Sequence, residues 1–264
     1  MTLSHGRKQQ IVGTARRAGI LPLLDAAFFW RNRAQSRLAN AEFIKTHPDF
    51  SPPPLRWMHD MYRHTSFDLY WRTGKETAAA LSEKIDALTT MPHPRVADWG
   101  CGLARIVRHL PQTYERSGFD YNRSAIKWCA NNIENINFAK NAIAPPLPVA
   151  AKSFDIVYGL SVFTHLSEQS HYEWRDEIAR VLAPGGYFLG AFHMQPKPDQ
   201  LLPAEQSRFD SGELVVRGRV KEGSRTFTAH HPEAWLRRFL SEGFELVGDP
   251  EPFFGQTLLT ARRL

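Results

Sequence analysis

Apolar runs of strand length alternate with segments of helical periodicity along the middle of this 264-residue chain. One short apolar run ends at Asp98, and a second, over residues 117–121, reaches another acid at Asp120. Such runs, bounded by polar residues and glycine, predict buried strands. Further strands are predicted over residues 136–140 and 187–194, and residues 152–161 are predicted to be a buried strand that opens into a polar loop at Gly159, Leu160 and Ser161.

Helices are predicted between these strands because apolar residues recur there every three or four positions. Asn122 or Ser124 is suited to cap the helix after the second strand. A helix is also predicted directly after the first strand, over residues 104–110, with its free amide groups directed back at the strand end. The other predicted helices cover residues 77–88, 122–135, 168–182 and 231–241.

The segment after the first predicted strand contains Asp98, Gly100 and Gly102 in the pattern Asp-x-Gly-x-Gly. Two glycines one residue apart let the backbone bend tightly and approach a ligand closely. Arg105 stands where the dinucleotide-binding fingerprint requires a small residue, and the P-loop ending Gly-Lys-Ser/Thr is absent. The turn therefore predicts a nucleotide-like ligand, and Asp98 suits positive charge on that ligand.

Three further motifs follow: Gly-x-Asp ending at Asp120, Phe-Asp-x-Val at residues 154–157 and Leu-x-Pro-Gly-Gly at residues 182–186. A carboxylate at Asp120 can accept both hydroxyls of a ribose, and Tyr121 beside it can lie against a purine. In this order and spacing, over about residues 70–195, the motifs resemble those of class I S-adenosylmethionine-dependent methyltransferases.

This resemblance implies a Rossmann-like α/β fold. Its seven-stranded, mostly parallel sheet has helices on both faces and an antiparallel last strand, which would pair residues 244–248 with 256–261. Residues 1–75 are predicted to be a basic N-terminal helical extension and lead-in that caps the substrate pocket. Residues 76–264 are predicted to be the methyltransferase domain, with an insertion at about residues 195–230 that contains a hairpin.

The resemblance also implies S-adenosylmethionine as the cofactor. The glycine turn would surround the methionine part of the cofactor, and the second acid would bind its ribose. The neighbouring aromatic side chain and an amide would contact its adenine, and the loop after the fourth strand would lie beneath its sulfonium. Arg105 could pair with the donor's carboxylate or lie in solvent. The implied cofactor-binding residues are Asp98, Gly100, Gly102, Arg105, Asp120, Tyr121, Asn141, Gly159, Leu160 and Ser161.

His165 follows the fourth strand, where the resemblance places the transferable methyl group. A neutral imidazole there could remove a proton from an alcohol, because the histidine pKa lies near neutral pH. A structural role is the alternative, and His193, His230 and His231 are competing candidates for the base. No carboxylate shares a ligand-like spacing with these histidines, so no metal site is predicted.

The length of the chain allows one full core with an accessory segment. Its two cysteines, Cys101 and Cys129, indicate neither a disulfide framework nor a metal site, and fit a reducing compartment. No apolar run approaches the length that spans a bilayer. We expect a cytoplasmic protein that could also be peripheral to a membrane.

The net charge of +6 comes entirely from residues 1–40, because residues 41–264 sum to zero. Because residues 41–264 carry no net charge, nucleic acid is not expected as a partner. The apolar segment 18–30 between basic flanks favours contact with a membrane surface or a partner subunit, and packing on its own domain is an equal alternative. The composition also fits a mitochondrial presequence, whereas Pro22 and Asp25 argue against a signal peptide.

The acceptor is inferred from the segment after the fourth strand. Enzymes that methylate amino groups of protein or DNA usually carry an Asn/Asp-Pro-Pro-Tyr motif there, whereas this chain has Gly-Leu-Ser-Val. The run Ser-Val-Phe-Thr-His-Leu resembles bacterial methyltransferases of glycan and small-molecule biosynthesis. This implies O-methylation of a small-molecule or sugar hydroxyl; the alternatives are N-methylation of a small molecule and a nonenzymatic subunit with this fold. An NAD-linked enzyme is disfavoured by Arg105 and by the absence of a Tyr-x-x-x-Lys pair.

Overall fold

The computed structural model describes residues 21–198, 200–218 and 220–264. The basic side chains at positions 7, 8, 16 and 17 and the first residues of segment 18–30 lie outside the described residues. Two compact units divide the chain: residues 1–72 with 197–202, and residues 73–196 with 203–264. The described helices are α1 (Leu21–Thr46), α2 (Leu55–Tyr62), α3 (Phe67–Leu88), α4 (Arg123–Asn132), α5 (Glu168–Val181), α6 (Pro203–Asp210) and α7 (Glu233–Leu240).

Seven strands form the main sheet, in the order β3-β2-β1-β4-β5-β9-β8. The first five pair in parallel, and β9 is antiparallel to both of its neighbours. This arrangement confirms the predicted fold class. The strands are β1 (Arg95–Trp99), β2 (Glu115–Asp120), β3 (Asn137–Lys140), β4 (Phe154–Leu160), β5 (Leu182–Phe192), β6 (Val215–Arg217), β7 (Thr228–His230), β8 (Phe244–Phe253) and β9 (Gln256–Arg263).

Both faces of the central strands are buried, as the near-continuous apolar runs require. Successive side chains of a strand point to opposite faces. Ala97 and Val157 accordingly belong to one apolar cluster, and Val96 and Ile156 belong to the other. Because β1 and β4 are neighbours while the chain passes from β1 to β2 on the other side, the order of strands reverses between β1 and β4. Ligands of open α/β sheets bind at such a reversal, beyond the carboxyl ends of the strands.

The helix predicted over residues 104–110 is wrong. Ala104 has a left-handed backbone with φ of +58°, which a helix cannot contain, and Pro111 follows directly after the segment. Only a three-residue 3₁₀ helix, Val107–His109, forms there. The amide groups expected to face the ligand crevice as a helix end are therefore those of an irregular turn.

Two other segments differ from expectation. The Leu-x-Pro-Gly-Gly segment precedes the strand predicted over residues 187–194 but belongs to β5; Gly185 has φ of +76°, and the pairing with β4 shifts between Phe154 and Ile156. The insertion contains an antiparallel pair as predicted, but β6 and β7 have three residues each and α6 precedes them. The irregular β5 allows the strand to continue through a sequence that favours turns.

Within the first unit, an ion-pair cluster joins α1 to α2. The Asp25 carboxylate accepts hydrogen bonds from Arg56 (2.9 Å) and Arg63 (2.5 Å). Burial raises the pKa of Asp25, but the bonds from Arg63 and Arg56 outweigh it and hold the pKa at about 2. Among the described residues, no helix has both the length and the apolar character to cross a membrane.

Candidate functional site

The site predicted from sequence lies where β1, β2 and β4 end side by side. β1 ends at Trp99, β2 at Asp120 and β4 at Leu160, all parallel and adjacent in the sheet. The polar loops that follow these strands therefore meet at one edge, next to the point where the strand order reverses.

The turn after β1 has the tight backbone that its glycines suggest. The amides of Gly100 and Cys101 both donate to the Phe119 carbonyl of β2, at 2.8 and 3.0 Å. Gly100 has φ of +85° and Gly102 has φ of +55°, a region that side chains disfavour. A Cβ at Gly100 would lie 2.4 Å from Cγ2 of Val162, in the loop after β4. This close approach fixes the turn after β1 against the loop after β4.

Asp120 holds the turn from the β2 side. One carboxylate oxygen accepts the amide of Gly102 at 2.9 Å, and the other accepts the amide of Asn122 at 2.7 Å. Burial raises the pKa of Asp120, and the two amide bonds act in the opposite direction. Because each carboxylate oxygen can accept more than one hydrogen bond, both can still accept a ligand hydroxyl.

Asp98 is the most deeply placed acid of the site. Burial raises its pKa to about 7, and the negative charge of Asp120 adds to this shift. The Tyr158 hydroxyl and the Arg105 guanidinium oppose it. Although this hydroxyl faces Asp98, it forms no well-directed hydrogen bond. A ligand ammonium placed here would favour the ionised carboxylate.

Arg105, expected either to pair with the donor's carboxylate or to lie in solvent, is half-buried at the site. Its Nη1 donates to the Thr73 hydroxyl at 3.2 Å, at the start of the second unit. Gly74 beside it, within α3, allows this arrangement, because a Cβ there would lie 2.1 Å from the Arg105 carbonyl oxygen. Sequence reasoning missed Gly74, although an isolated glycine inside a helical pattern is a recognised sign of close packing.

Asn141 follows β3 and has an unused acceptor. Its Nδ2 donates to the Ala142 carbonyl at 2.6 Å, and its Oδ1 is buried with no hydrogen-bond partner among the described residues. A buried oxygen without a donor is costly unless a ligand supplies one. Tyr121, on the adjacent strand end, is partly exposed and donates its hydroxyl to the Gly223 carbonyl at 3.0 Å. These positions fit an adenine, whose exocyclic amine is a donor.

The end of β4 corrects one assignment. Gly159 and Leu160 were predicted to lie in a loop, but they pair with Gly190 and Ala191 of β5 as the last residues of the strand. A Cβ at Gly159 would lie 2.7 Å from the Trp99 ring, so this glycine makes room for a core side chain. Only Ser161 lies in the loop, with φ of +65° and its hydroxyl donating to Gln256 at 2.6 Å. Sequence reasoning missed both Gln256 and Val162.

His165 ends the 3₁₀ helix Phe163–His165 that follows this loop. Its Nδ1 lies 2.7 Å from the Phe227 carbonyl oxygen, which can only accept, so Nδ1 carries the proton. Nε2 then has a lone pair, and no described residue forms a hydrogen bond with it. Burial lowers the pKa of His165, while the bond to Phe227 acts in the opposite direction. The ring is therefore neutral near neutral pH and has the tautomer of a base.

The segment between β6 and β7 covers the site from the insertion. The Gly223 amide donates to the His165 carbonyl at 2.9 Å, and Glu222 accepts the Ser167 amide at 2.6 Å. Together with the bond from Tyr121 to Gly223, these contacts join the loops after β2 and β4 to one turn of the insertion. Sequence reasoning missed Glu222 and Gly223, whose only signal is a Glu-Gly-Ser turn sequence.

Of the other candidate histidines, His230 and His231 are buried and His193 is half-buried. His193 and His230 have ring centroids 5.5 Å apart, and burial lowers the pKa of both, to about 4 for His230. His231 contacts His171, with their Nε2 atoms 2.9 Å apart. Across the described part of the chain, no three or more His, Cys, Asp or Glu side chains are grouped as a metal site.

Comparison with known proteins agrees with this geometry. Residues 97–190 match the family described as methyltransferase domain. A fatty-acid O-methyltransferase of Mycolicibacterium smegmatis is 38% identical over 109 residues, which are 36% of this chain and 35% of that protein. A phthiotriol/phenolphthiotriol dimycocerosates methyltransferase of Mycobacterium ulcerans is 32% identical over 103 residues, 36% of each chain. The matches thus span about a third of these relatives.

Solved structures show the same fold. A SAM-dependent methyltransferase from Methanosarcina mazei superposes with a TM-score of 0.53 at 18% identity, over 69% of this chain and 97% of that one. The magnesium protoporphyrin IX methyltransferase of Synechocystis, with bound S-adenosylhomocysteine, gives a TM-score of 0.51 at 17% identity, over 88% and 99%. Strand order, glycine turn and family match agree: the main sheet has the fold of these methyltransferases, and residues 97–190 match the methyltransferase domain family.

Proposed function

We propose that this protein transfers a methyl group from S-adenosylmethionine to a hydroxyl oxygen of a small-molecule acceptor, with His165 as the general base. The observation that carries the proposal is the tautomer of His165, whose Nε2 can accept a proton beside the end of β4. The name of the Mycolicibacterium smegmatis relative, a fatty-acid O-methyltransferase, supports oxygen as the methylated atom.

The donor would be held by the residues at the strand ends. Asp98 and Arg105 carry opposite charges, matching the ammonium and carboxylate of the methionine part. Asp120 accepts the ribose hydroxyls with its remaining lone pairs, and the unpartnered Oδ1 of Asn141 accepts from the adenine amine. When bound, S-adenosylmethionine supplies an activated methyl group on a sulfonium. The chain positions the acceptor and keeps water out.

The base has a defined task when the acceptor is a hydroxyl. An alcohol is neutral at neutral pH, and its proton must leave as the new oxygen–carbon bond forms. Nε2 of His165 takes that proton, while the bond from Nδ1 to Phe227 holds the ring in place. A carboxylate acceptor is already ionised at neutral pH and needs no base. Loss of His165 therefore distinguishes a hydroxyl acceptor from a carboxylate.

We expect His165→Asn to lower turnover by roughly a hundredfold or more and to leave affinity for S-adenosylhomocysteine nearly intact. Asparagine can retain a donor for the Phe227 carbonyl but has no atom that takes a proton at neutral pH. The rate of the parent protein should rise with pH through an apparent pKa below 6.5, because burial lowers the pKa of His165. This rise of the rate with pH should be absent from the variant.

His193→Asn is the matched control, because His193 is a half-buried histidine close enough to His165 to affect its own pKa. The His193→Asn variant should retain the rise of the rate with pH. Unchanged turnover in His165→Asn would show that His165 is structural, and loss of donor binding would place it in the wall of the cofactor site.

Asp120→Ala should weaken the binding of S-adenosylhomocysteine by about 2–3 kcal/mol, because ribose hydroxyls and two backbone amides lose their acceptor. Isothermal titration calorimetry measures this change. Asp155→Ala is the control: Asp155 is also a buried acid of the sheet, but it binds the amide and guanidinium of Arg95 at the opposite end of β1. Asp155→Ala should lower the stability of the fold and leave donor affinity unchanged. An equal loss of donor affinity in both variants would contradict the assignment of Asp120.

The acceptor can be identified with a donor that carries a deuterated methyl group, offered with a host-cell extract and, separately, with a long-chain fatty alcohol and a pyranoside. Mass spectrometry should find the label on oxygen. Label on nitrogen, or donor binding without transfer to any extract component, would contradict the proposal.

A further inference from the structure

Helix α1 is apolar on two opposite sides. One side is buried within the first unit through Phe29, Asn40 and Phe43. On the other side, apolar residues recur every three or four positions and are exposed. At 3.6 residues per turn, these residues fall within an arc of about 80°. We call this set the outer stripe; it consists of Leu23, Ala27, Trp30, Ala34, Leu38 and Ala41.

The large members of the outer stripe are well exposed. Leu38 is 83% exposed, Leu23 71% and Trp30 59%, and no described residue covers them. Single exposed apolar side chains are common, whereas a continuous apolar row along several turns of one helix is typical of a contact surface. The row has no structural use within the first unit, because the buried side of α1 already supplies its packing.

Cationic side chains border the outer stripe. Arg31, Arg33 and Arg37 are exposed on its two flanks. The guanidinium of Arg31 lies 5.3 Å from the Phe28 ring centre, and that of Arg33 lies 5.0 Å from the Trp30 ring centre. The Arg33 head therefore lies against a member of the outer stripe, and the Arg31 head lies against an aromatic ring beside the stripe, an arrangement that suits a membrane interface.

Acidic side chains do not neutralise this border. Asp25 lies on the buried side of α1 and is bound by Arg56 and Arg63. Glu42 lies 3.5 Å from Lys45 in the last turns of the helix. The outer face of α1 is thus an apolar stripe with positive flanks. A surface that complements it has a negatively charged outer layer over an apolar interior.

We infer that the outer stripe and its flanking arginines bind the surface of an anionic lipid bilayer, with α1 parallel to the membrane plane. The stripe would enter the boundary between headgroups and acyl chains, where tryptophan is favoured, and the arginines would contact lipid phosphates. A second copy of the same face fits less well, because two positively charged borders would meet. The inference concerns attachment and is independent of the chemistry at the methyltransferase site.

Co-sedimentation of the full chain with vesicles tests the inference. We expect binding to vesicles of phosphatidylcholine with phosphatidylglycerol, and much weaker binding to phosphatidylcholine alone. Leu38→Glu should lower partitioning by tenfold or more, because it puts a negative charge at the most exposed large residue of the stripe. Replacing Arg31, Arg33 and Arg37 together with glutamine should lower binding to anionic vesicles by roughly a hundredfold, about fivefold per arginine, and remove its salt sensitivity.

Met91→Glu is the matched control, because Met91 is an exposed apolar residue outside α1 at 48% exposure. It should bind vesicles as the parent protein does, and circular dichroism should show equal helix content in all variants. Equal binding by Leu38→Glu and Met91→Glu, or equal binding to charged and neutral vesicles, would overturn the inference. So would a dimer in ultracentrifugation that Leu38→Glu dissociates while no variant binds vesicles, since the stripe would then contact a second copy.

Discussion

Gly100→Val is expected to lower affinity for S-adenosylhomocysteine by more than about a hundredfold, roughly 3 kcal/mol. The backbone at Gly100 has φ of +85°, where a side chain costs about 1–3 kcal/mol. In addition, the new Cβ would lie 2.4 Å from Cγ2 of Val162. The turn after β1 and the loop after β4 must then move apart, and both belong to the proposed donor site. Isothermal titration calorimetry measures the loss.

Two variants separate the clash from the backbone cost. Gly248→Val introduces the same side chain at φ of +72°, with no atom within 4 Å of the new Cβ, so it should lower stability and leave donor affinity unchanged. Combining Gly100→Ala with Val162→Ala removes the clashing methyl and leaves the Val162 Cβ at 3.7 Å, an ordinary contact. The double variant should bind the donor better than Gly100→Ala alone. Normal binding by Gly100→Val would make the turn purely structural.

The free energy of unfolding should fall by about 3 kcal/mol through His171 alone as the pH drops from 6.5 to 4, and by more through His231. Burial lowers the pKa of His171 to about 4 and that of His231 well below 6.5. Their folded form therefore binds fewer protons than the unfolded chain, which takes them up below 6.5. The stability is fully present above pH 6.5 and is lost as the pH falls towards 4. Chemical denaturation at a series of pH values measures it.

The geometry of the pair explains why it stays neutral. His171 Nδ1 lies 2.7 Å from the Ser167 carbonyl, so its Nε2 is the acceptor of the 2.9 Å bond from His231. The rings pack among Phe163, Phe192 and Trp235. Replacing both histidines with phenylalanine should reduce the pH dependence and leave the part due to His230, whose pKa burial also lowers, whereas His93→Gln, at an exposed position, should leave it unchanged. An unchanged slope in the double variant would assign the acid sensitivity to other groups.

Local signals in the sequence predicted most of the fold. Apolar runs that end at Asp98 and Asp120 mark β1 and β2, because a buried strand needs continuous apolar side chains and its polar end lies at the sheet edge. Asn122 caps α4 by accepting the amides of Ser124 and Ala125, as its position after a strand suggests. Pro232, inside the helix predicted over residues 231–241, is the cap of α7, which begins at Glu233.

The tertiary structure decided what depends on residues far apart in the chain. The glycine pattern indicated a tight turn, but only the fold shows that Val162 closes on Gly100 and that Gly74 admits the Arg105 carbonyl. The predicted helix over residues 104–110 failed because Ala104 adopts a left-handed backbone that propensity does not anticipate.

The same limit applies to the chemistry of the site. The sequence by itself determined which residues end the strands, and so Asp98, Asp120 and the loop with His165. It could not determine the tautomer of His165, because the Phe227 carbonyl that sets it lies 62 positions away. Composition and periodicity can be read from a short stretch of sequence, whereas hydrogen bonds between loops depend on the order in which the strands pair. That order brings the insertion onto the site and leaves Nε2 of His165 without a hydrogen bond from any described residue.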